Sequence, residues 1–259
     1  MNFIIITNKL SHLKLFDLPN VYFMIDIERR GKQLRQQGKN TLISKHNLKD
    51  ISKIKKNISN AKIITRINSI YAKSKLEIRK ALDYGTDYIM LPFYKTKEEV
   101  STFLEYIGDP NRAILLCETK ESFNDFENMH NSVKPFLIYL GLNDLHIELN
   151  KKFMFEFLTD HHFSKLSKII VNICNFGFGG IANLDEGIIP GKMIALEHHY
   201  FNSNFVILSR TFFNGKTKRE SLKNFINLVE FFKKSQSKEY LELNHNNVKN
   251  IIKQHLKHI

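Results

Sequence analysis

The chain has 259 residues, enough for one large hydrophobic core, and carries 39 Lys and Arg against 26 Asp and Glu, a net charge of +13. Such a basic balance raises the question of a nucleic-acid partner. The lysines are scattered, however, over helix-like segments such as KIKK (53–56), where they are solvated, and neither a zinc finger nor an RNP-type motif is present. We therefore expect no nucleic-acid partner, and a small, multiply charged anionic substrate fits the surplus equally well.

The two cysteines and the apolar runs bear on the compartment. Cys117 and Cys174 both lie in apolar runs that resemble strands, which favours buried, reduced thiols in a cytoplasmic protein over a disulfide framework. The apolar patch in MNFIIIT is too short for a signal peptide, and no run approaches about 20 apolar residues. We expect neither export nor a membrane span.

Short apolar runs bounded by turn or polar residues predict the strands in chain order. They are FIIIT (3–7), VYFMIDI (21–27), KIITRI (62–67), DYIMLPF (87–93), AILLCET (113–119), FLIYLG (136–141), KIIVNIC (168–174) and NFVILS (204–209). Most are apolar at consecutive positions, which is typical of strands buried on both faces of a parallel sheet. Helical segments such as 74–85 and 95–108 lie between them. This alternation predicts an α/β fold, a (β/α)8 TIM barrel, with a doubly wound open sheet as the alternative.

The two ends of the chain depart from plain alternation. Only about a dozen residues, including Pro19, join the first two strands, so that helix must be short or absent. Two helices, about 217–234 and 239–257, follow the last strand and exceed what closure of a barrel needs. We expect a catalytic barrel over 1–215 and a C-terminal helical extension over 216–259 that packs on the barrel or on a neighbouring subunit.

Acidic residues end two of the apolar runs, and barrel enzymes build their sites at the C-terminal ends of strands. Glu118 in AILLCET and Asp144 in FLIYLGLNDL would present oxygen ligands to a hard cation such as Mg²⁺; alternatively, each caps the helix that follows or pairs with a nearby lysine. Arg66, in ITRIN, offers a planar fork for a carboxylate or an enolate oxygen. The alternative for Arg66 is a structural ion pair with Asp26 or Glu28.

A glycine-bearing segment, GFGGIANLDEGIIPGKM (177–193), follows the predicted seventh strand. Backbone N–H groups in such loops bind anions, so Gly179 and Gly180 are candidates for a substrate site or lid. A plain flexible loop is the alternative.

Five strings in order, VYFMIDIE, ITRIN, DYIMLPFYKTKEEV, LLCET and YLGLNDL, resemble the strand motifs of the citrate lyase β-subunit and 2-keto-3-deoxy-acid aldolase superfamily. These are metal-dependent class II pyruvate aldolases, such as 2,4-dihydroxyhept-2-ene-1,7-dioate aldolase. The resemblance covers roughly residues 20–212 and implies a (β/α)8 barrel in a homo-oligomer, a trimer or hexamer. It also implies Mg²⁺ or Mn²⁺ on Glu118 and Asp144, with Arg66 on the carbonyl and carboxylate of the substrate. The implied activity is a carbon-carbon lyase that acts next to a carbonyl through a metal-bound enolate of pyruvate.

The general base is where the chain departs from that family. The aldolase branch has a histidine directly after the acidic residue of the second strand, and the citrate lyase branch has a second acid there, whereas this chain reads DIERRGK with Arg29. The base is Glu28, Asp26, a metal-bound hydroxide, or His46 in ISKHN, which is otherwise a solvent-facing loop residue. The basic residues Arg29, Arg30, Lys32 and Arg35 are candidates for holding a phosphate or a second carboxylate.

These expectations define the candidate site and its alternatives. The residues expected to contact the substrate are Arg66, Arg29, Asn68, Pro92, Gly179 and Gly180. The expected substrate is a small acidic or sugar-derived 2-keto acid. One alternative function is a citrate-lyase-like acyl-CoA lyase or thioesterase, and another is a catalytically inactive barrel that serves as a binding subunit.

Overall fold

The computed structural model describes residues 1–30, 44–130 and 133–259. Within these residues, eight parallel strands are hydrogen-bonded to one another in sequence order and form a closed barrel, with helices between the strands. The predicted (β/α)8 TIM barrel with extra C-terminal helices is confirmed, and the doubly wound alternative is wrong.

The strands and helices have the following bounds. The strands are β1 (Asn2–Ile6), β2 (Val21–Asp26), β3 (Lys62–Arg66), β4 (Tyr88–Leu91), β5 (Ala113–Cys117), β6 (Leu137–Leu140), β7 (Asn175–Ile181) and β8 (Phe205–Leu208). The α-helices are α1 (Leu10–Leu15), α2 (Lys49–Lys55), α3 (Ser74–Asp83), α4 (Lys97–Ile107), α5 (Lys120–Asn124), α6 (Phe126–His130), α7 (Leu142–Glu148), α8 (His161–Val171), α9 (Gly191–Tyr200), α10 (Lys218–Lys233) and α11 (Lys238–His255). Short 3₁₀ helices span Pro110–Arg112, Met154–Thr159 and Arg210–Phe212.

The contacts divide the chain into two compact units, of which one is Ile5–Leu137. In this unit every residue of β2 and β5 is buried, as expected for strands covered on both faces. Helix α4 shows how the local sequence sets the bounds of an element. Thr96 and Glu99 form a capping box at its start, and Gly108 ends it with a φ of 73° in the left-handed region.

The other unit comprises Met1–Ile4 and Ile138–Ile259. The C-terminal helix α11 packs on α9 through a buried polar cluster around Glu197, whose carboxylate is fully buried. Its Oε2 lies 2.7 Å from His245 Nδ1, and its Oε1 accepts a hydrogen bond of 2.8 Å from Asn244. The ring of Tyr200 stacks on His245 with centroids 4.1 Å apart. A buried carboxylate with two such partners fixes how the two helices meet.

The prediction for the seventh strand is wrong. Residues 168–171 of KIIVNIC end helix α8, and β7 is Asn175–Ile181, which overlaps the start of the segment predicted to be a glycine-bearing loop (177–193). The apolar residues of the run continue the helical spacing of Phe163, Leu166 and Ile170, all of which are buried. Glycines are needed in β7 because the ring of Tyr139 packs directly against Gly177, where a Cβ atom would clash.

Two smaller expectations can be compared with the structure. Cys117 is free and buried in β5, as expected, but Cys174 is half-buried in the turn between α8 and β7 and does not belong to a strand. The connection after β1 holds only the six-residue helix α1, in line with the prediction of a short helix. None of the helices in the described ranges has the length and apolar character needed to cross a membrane.

Candidate active site

An arginine and an aspartate meet at the ends of neighbouring strands. Asp26 is the last residue of β2, Arg66 is the last residue of β3, and the strand register places them directly opposite each other. Arg66 Nη2 donates to Asp26 Oδ2 at 2.8 Å, and Arg66 Nε donates to Oδ1 at 3.1 Å. The side chain of Asp26 is fully buried and that of Arg66 is 14% exposed. This bidentate pair holds the guanidinium in one orientation.

Two further carboxylates lie around the same guanidinium. Glu28 Oε2 is 3.6 Å from Arg66 Nε, and Glu118 directly follows β5; both residues are buried. Burial by itself would lower the pKa of Arg66, but the negative charges of Asp26, Glu28 and Glu118 outweigh that effect and raise the pKa. Arg66 is therefore a permanent, oriented positive charge within a largely buried polar cluster.

The alternative of a structural ion pair for Arg66 thus has direct geometric support. It does not exclude contact with a substrate, because a guanidinium has five N–H donors and Asp26 takes one each from Nε and Nη2.

His46 lies at the end of β2. It is buried, and its Nδ1 accepts a hydrogen bond of 3.1 Å from the backbone N–H of Asp26. The expectation of a solvent-facing loop residue is therefore wrong in placement, because this backbone hydrogen bond draws the ring inward. Since Nδ1 is the acceptor, the neutral ring carries its hydrogen on Nε2 and presents a donor there.

Asn68 organises the backbone that follows β2. Its Oδ1 accepts hydrogen bonds from the N–H groups of Arg29, at 2.8 Å, and Arg30, at 3.0 Å. Its Nδ2 donates to Glu77 at 2.7 Å, and its backbone N–H donates to the same carboxylate at 2.9 Å. The amide of Asn68 is thus used to position the Arg29–Arg30 segment, so its expected contact with substrate stays a prediction.

The helix after β5 is capped by Thr119 and not by Glu118. Thr119 is the N-cap of α5 and forms a capping box with Ser122. The Thr119 hydroxyl also donates to the backbone carbonyl of Tyr94 at 2.8 Å. The alternative in which Glu118 caps this helix is wrong, because the neighbouring threonine occupies that position.

The end of β4 contains Pro92, whose expected contact with substrate stays a prediction, and further residues that sequence reasoning missed. Pro92 is buried, and the next residue, Phe93, has a φ of 51°, which is unusual for a bulky side chain and often marks a functional site. Tyr94 is fully buried, with its hydroxyl 3.0 Å from His130 Nε2. Burial lowers the pKa of His130 to about 4, so this ring is neutral at pH 7. No sequence signal marks a left-handed phenylalanine or this pairing of distant residues.

Three expected site residues lie in the other compact unit. Gly179 and Gly180 belong to β7, and the hydroxyl of Tyr139 donates to the Gly179 carbonyl at 2.5 Å. Their expected role as a loop site is weakened because this backbone is part of the barrel wall. Asp144 is half-buried in the first turn of α7, whose N-cap is Gly141. A carboxylate in a first helical turn is favoured by the helix dipole, and the alternative of Asp144 itself as the N-cap is wrong.

The expected Mg²⁺ site depends on which side chains of the protein could bind the ion. Within the described ranges, no group of three or more His, Cys, Asp or Glu is arranged to hold a metal ion. Mg²⁺ does not need such a group, since it takes one or two carboxylates and completes its shell with water and substrate oxygens. Glu118, a buried carboxylate at a strand end, suits that chemistry in kind. Of the basic residues predicted after β2, Lys32 and Arg35 lie outside the described residues.

The resemblance described above receives no independent support from comparison with known proteins. No protein-family model matches this sequence, and no curated protein is significantly similar to it.

Proposed function

We propose that the protein is a Mg²⁺-dependent carbon-carbon lyase of the pyruvate aldolase type, acting on a small acidic or sugar-derived 2-keto acid. One observation carries the proposal. Arg66 is held by Asp26 among buried carboxylates at the ends of β2, β3 and β5, the edge of a barrel where enzymes place their catalytic groups. The five strand motifs that resemble the pyruvate aldolases support the same reaction.

In this proposal Arg66 binds the carboxylate and carbonyl oxygen of the keto acid. Its orientation is fixed by two hydrogen bonds to Asp26, so little reorganisation is needed when negative charge develops on the carbonyl oxygen. The raised pKa of Arg66 keeps it charged at every usable pH. Asp26 acts here as a positioning residue, because both of its oxygens accept hydrogen bonds from Arg66.

Proton removal next to the carbonyl is assigned to Glu28. Its carboxylate lies 3.6 Å from Arg66 Nε, so a substrate held by Arg66 is brought close to it. His46 is a poorer base, because its Nδ1 is occupied by the Asp26 N–H and its Nε2 carries the hydrogen.

Glu118 would be one protein ligand of the divalent cation, and a role for Asp144 rests on the resemblance alone. When bound, Mg²⁺ or Mn²⁺ would supply positive charge that stabilises developing negative charge on an enolate oxygen. We expect Glu118→Gln to lose Mn²⁺ binding and to keep the fold.

The test is methyl proton exchange in D₂O, followed by NMR, for pyruvate and acetyl-CoA with and without Mg²⁺ or Mn²⁺. The proposal predicts metal-dependent exchange into pyruvate, retained in Arg79→Ala, an exposed arginine on α3, and lost in Arg66→Ala although Mn²⁺ still binds. Exchange into acetyl-CoA alone would instead support the acyl-CoA lyase or thioesterase. Glu118→Gln and Asp144→Asn both binding Mn²⁺ like the parent would remove the proposed metal site.

A barrel without catalysis, used as a binding subunit, is the second candidate. It is favoured by Arg29, which stands where the aldolase branch has a histidine and donates from its guanidinium to the backbone carbonyl of His46 at 2.9 Å. This candidate predicts no exchange into either compound, with or without metal.

A further inference from the structure

A pocket of about 490 Å³ opens beside the segment that follows β2, in the same compact unit as Arg66. Its lining residues are Arg29, Arg30, Asn68, Tyr71, Ala72 and Lys73. The volume falls within the range of pockets that hold small molecules. Asn68 is only two residues beyond Arg66, so the pocket adjoins the strand end that carries the proposed catalytic arginine.

The walls of the pocket are held by hydrogen bonds. Asn68 accepts from the backbone N–H groups of Arg29 and Arg30 and is in turn held by Glu77. Glu77 also accepts a hydrogen bond of 3.1 Å from the hydroxyl of Tyr71. The carboxylate of Glu77 is thus used inside the wall by three donors, and the two segments that form the pocket are tied together.

The side chains that line the pocket carry three positive charges. The guanidinium of Arg30 lies over the ring of Tyr71, 4.5 Å from its centroid, and Arg29 donates to the His46 carbonyl at 2.9 Å. Of the ion pairs within the described residues, none includes Arg29, Arg30 or Lys73. The arginines are therefore oriented by an aromatic ring and a carbonyl, which leaves their charge available to a ligand.

We propose that this pocket binds the phosphate group of a phosphate monoester. Two guanidiniums and an ammonium match a dianion with three oxygens better than a single carboxylate, and arginine binds phosphate with two parallel hydrogen bonds. The pocket adjoins the strand end that carries Arg66, so the phosphate would belong to the second substrate of the reaction. This step rests on the proposed function. The second substrate would be a phosphorylated aldehyde that combines with the enolate or is released with it.

The test is calorimetric titration of the whole protein with glycerol phosphate, inorganic phosphate and malonate at constant ionic strength, without metal and without keto acid. We expect one site for glycerol phosphate and at least about tenfold weaker binding of malonate, a dianion whose charge is divided between two separate carboxylates instead of being held on one phosphate. Arg30→Gln and Lys73→Gln, both at exposed positions, should each weaken the binding of glycerol phosphate about tenfold. The matched control Arg79→Gln, on the adjoining helix α3, binds like the parent.

Three outcomes would overturn the proposal. Equal affinity for malonate and glycerol phosphate would show that the site has no preference for phosphate. Unchanged affinity for glycerol phosphate in both Arg30→Gln and Lys73→Gln would show that this pocket is not the binding site. Tighter binding of a short oligonucleotide than of glycerol phosphate would assign the charge to nucleic acid. Failure of this proposal can be distinguished from failure of the proposed lyase activity. A protein that binds glycerol phosphate but exchanges no pyruvate protons would have the phosphate site without the lyase activity.

Discussion

Replacing Arg66 by methionine tests the electrostatic reading of the candidate site. The methionine keeps much of the apolar stem of the side chain and removes the guanidinium that Asp26 binds with two hydrogen bonds. The change leaves the buried carboxylates of Asp26, Glu28 and Glu118 without this cation. We therefore expect a large loss of stability.

The magnitude follows from the burial of the pair. Removing one partner of a buried ion pair costs about 3–5 kcal/mol of the free energy of unfolding. Because the Arg66 side chain is 14% exposed and Asp26 is fully buried, we expect the lower end, about 3 kcal/mol. A surface arginine contributes far less, so the matched control Arg79→Met should change the free energy of unfolding by less than about 0.5 kcal/mol.

The pH dependence has a definite sign. The raised pKa of Arg66 means that its charge is lost only far above neutral pH, so it stays constant between about pH 5 and 8. In Arg66→Met the buried carboxylates lose this cation, so proton uptake relieves their unpaired negative charge, and a native state that binds more protons than the unfolded chain gains stability as pH falls. The difference in the free energy of unfolding between the parent and Arg66→Met should therefore become smaller from pH 7 to pH 5.

The assay is urea denaturation of the parent, Arg66→Met and Arg79→Met at pH 5, 6 and 7. Exposed ion pairs contribute up to about 1 kcal/mol. If Arg66→Met lowered the free energy of unfolding by less than that, the hypothesis that this guanidinium neutralises buried carboxylates would be refuted. A loss that grows on acidification would refute the assigned sign.

Three further predictions concern residues away from Arg66. Tyr139→Phe removes a buried hydroxyl that accepts from the Ile207 N–H at 2.8 Å, so thermal denaturation should show a loss of about 1–3 kcal/mol. Glu197→Ala leaves His245 without its carboxylate partner at 2.7 Å, and hydrogen exchange in α11 should become faster than in the parent. Burial raises the pKa of the Cys117 thiol to about 12, so at pH 8 a thiol reagent should modify it only after unfolding, and rapid native labelling would contradict this burial.

The sequence alone predicted most strands, because residues buried on both faces of a parallel sheet are apolar at consecutive positions. The runs that contain β2 and β5 are examples, and both strands are buried throughout. The end of α4 also agrees with the predicted helical segment 95–108, which stops at Gly108, whereas the capping box of Thr96 at its start was found only in the structure. The same reasoning failed at β7, where the apolar run belonged to a helix and a glycine-rich segment formed the strand. Composition does not reveal that Gly177 lies against the Tyr139 ring.

By itself, the sequence determined that polar residues follow the strands and that Arg66 and Glu118 belong to this edge of the barrel, because strand order and periodicity are local properties. Only the tertiary structure decided that Asp26 binds Arg66 with two hydrogen bonds, that His46 turns inward and that Arg30 stacks on Tyr71. The reason is physical. Contacts between side chains of different strands and loops depend on strand register and on hydrogen bonds made across 20 to 40 residues of chain, and no local pattern encodes them.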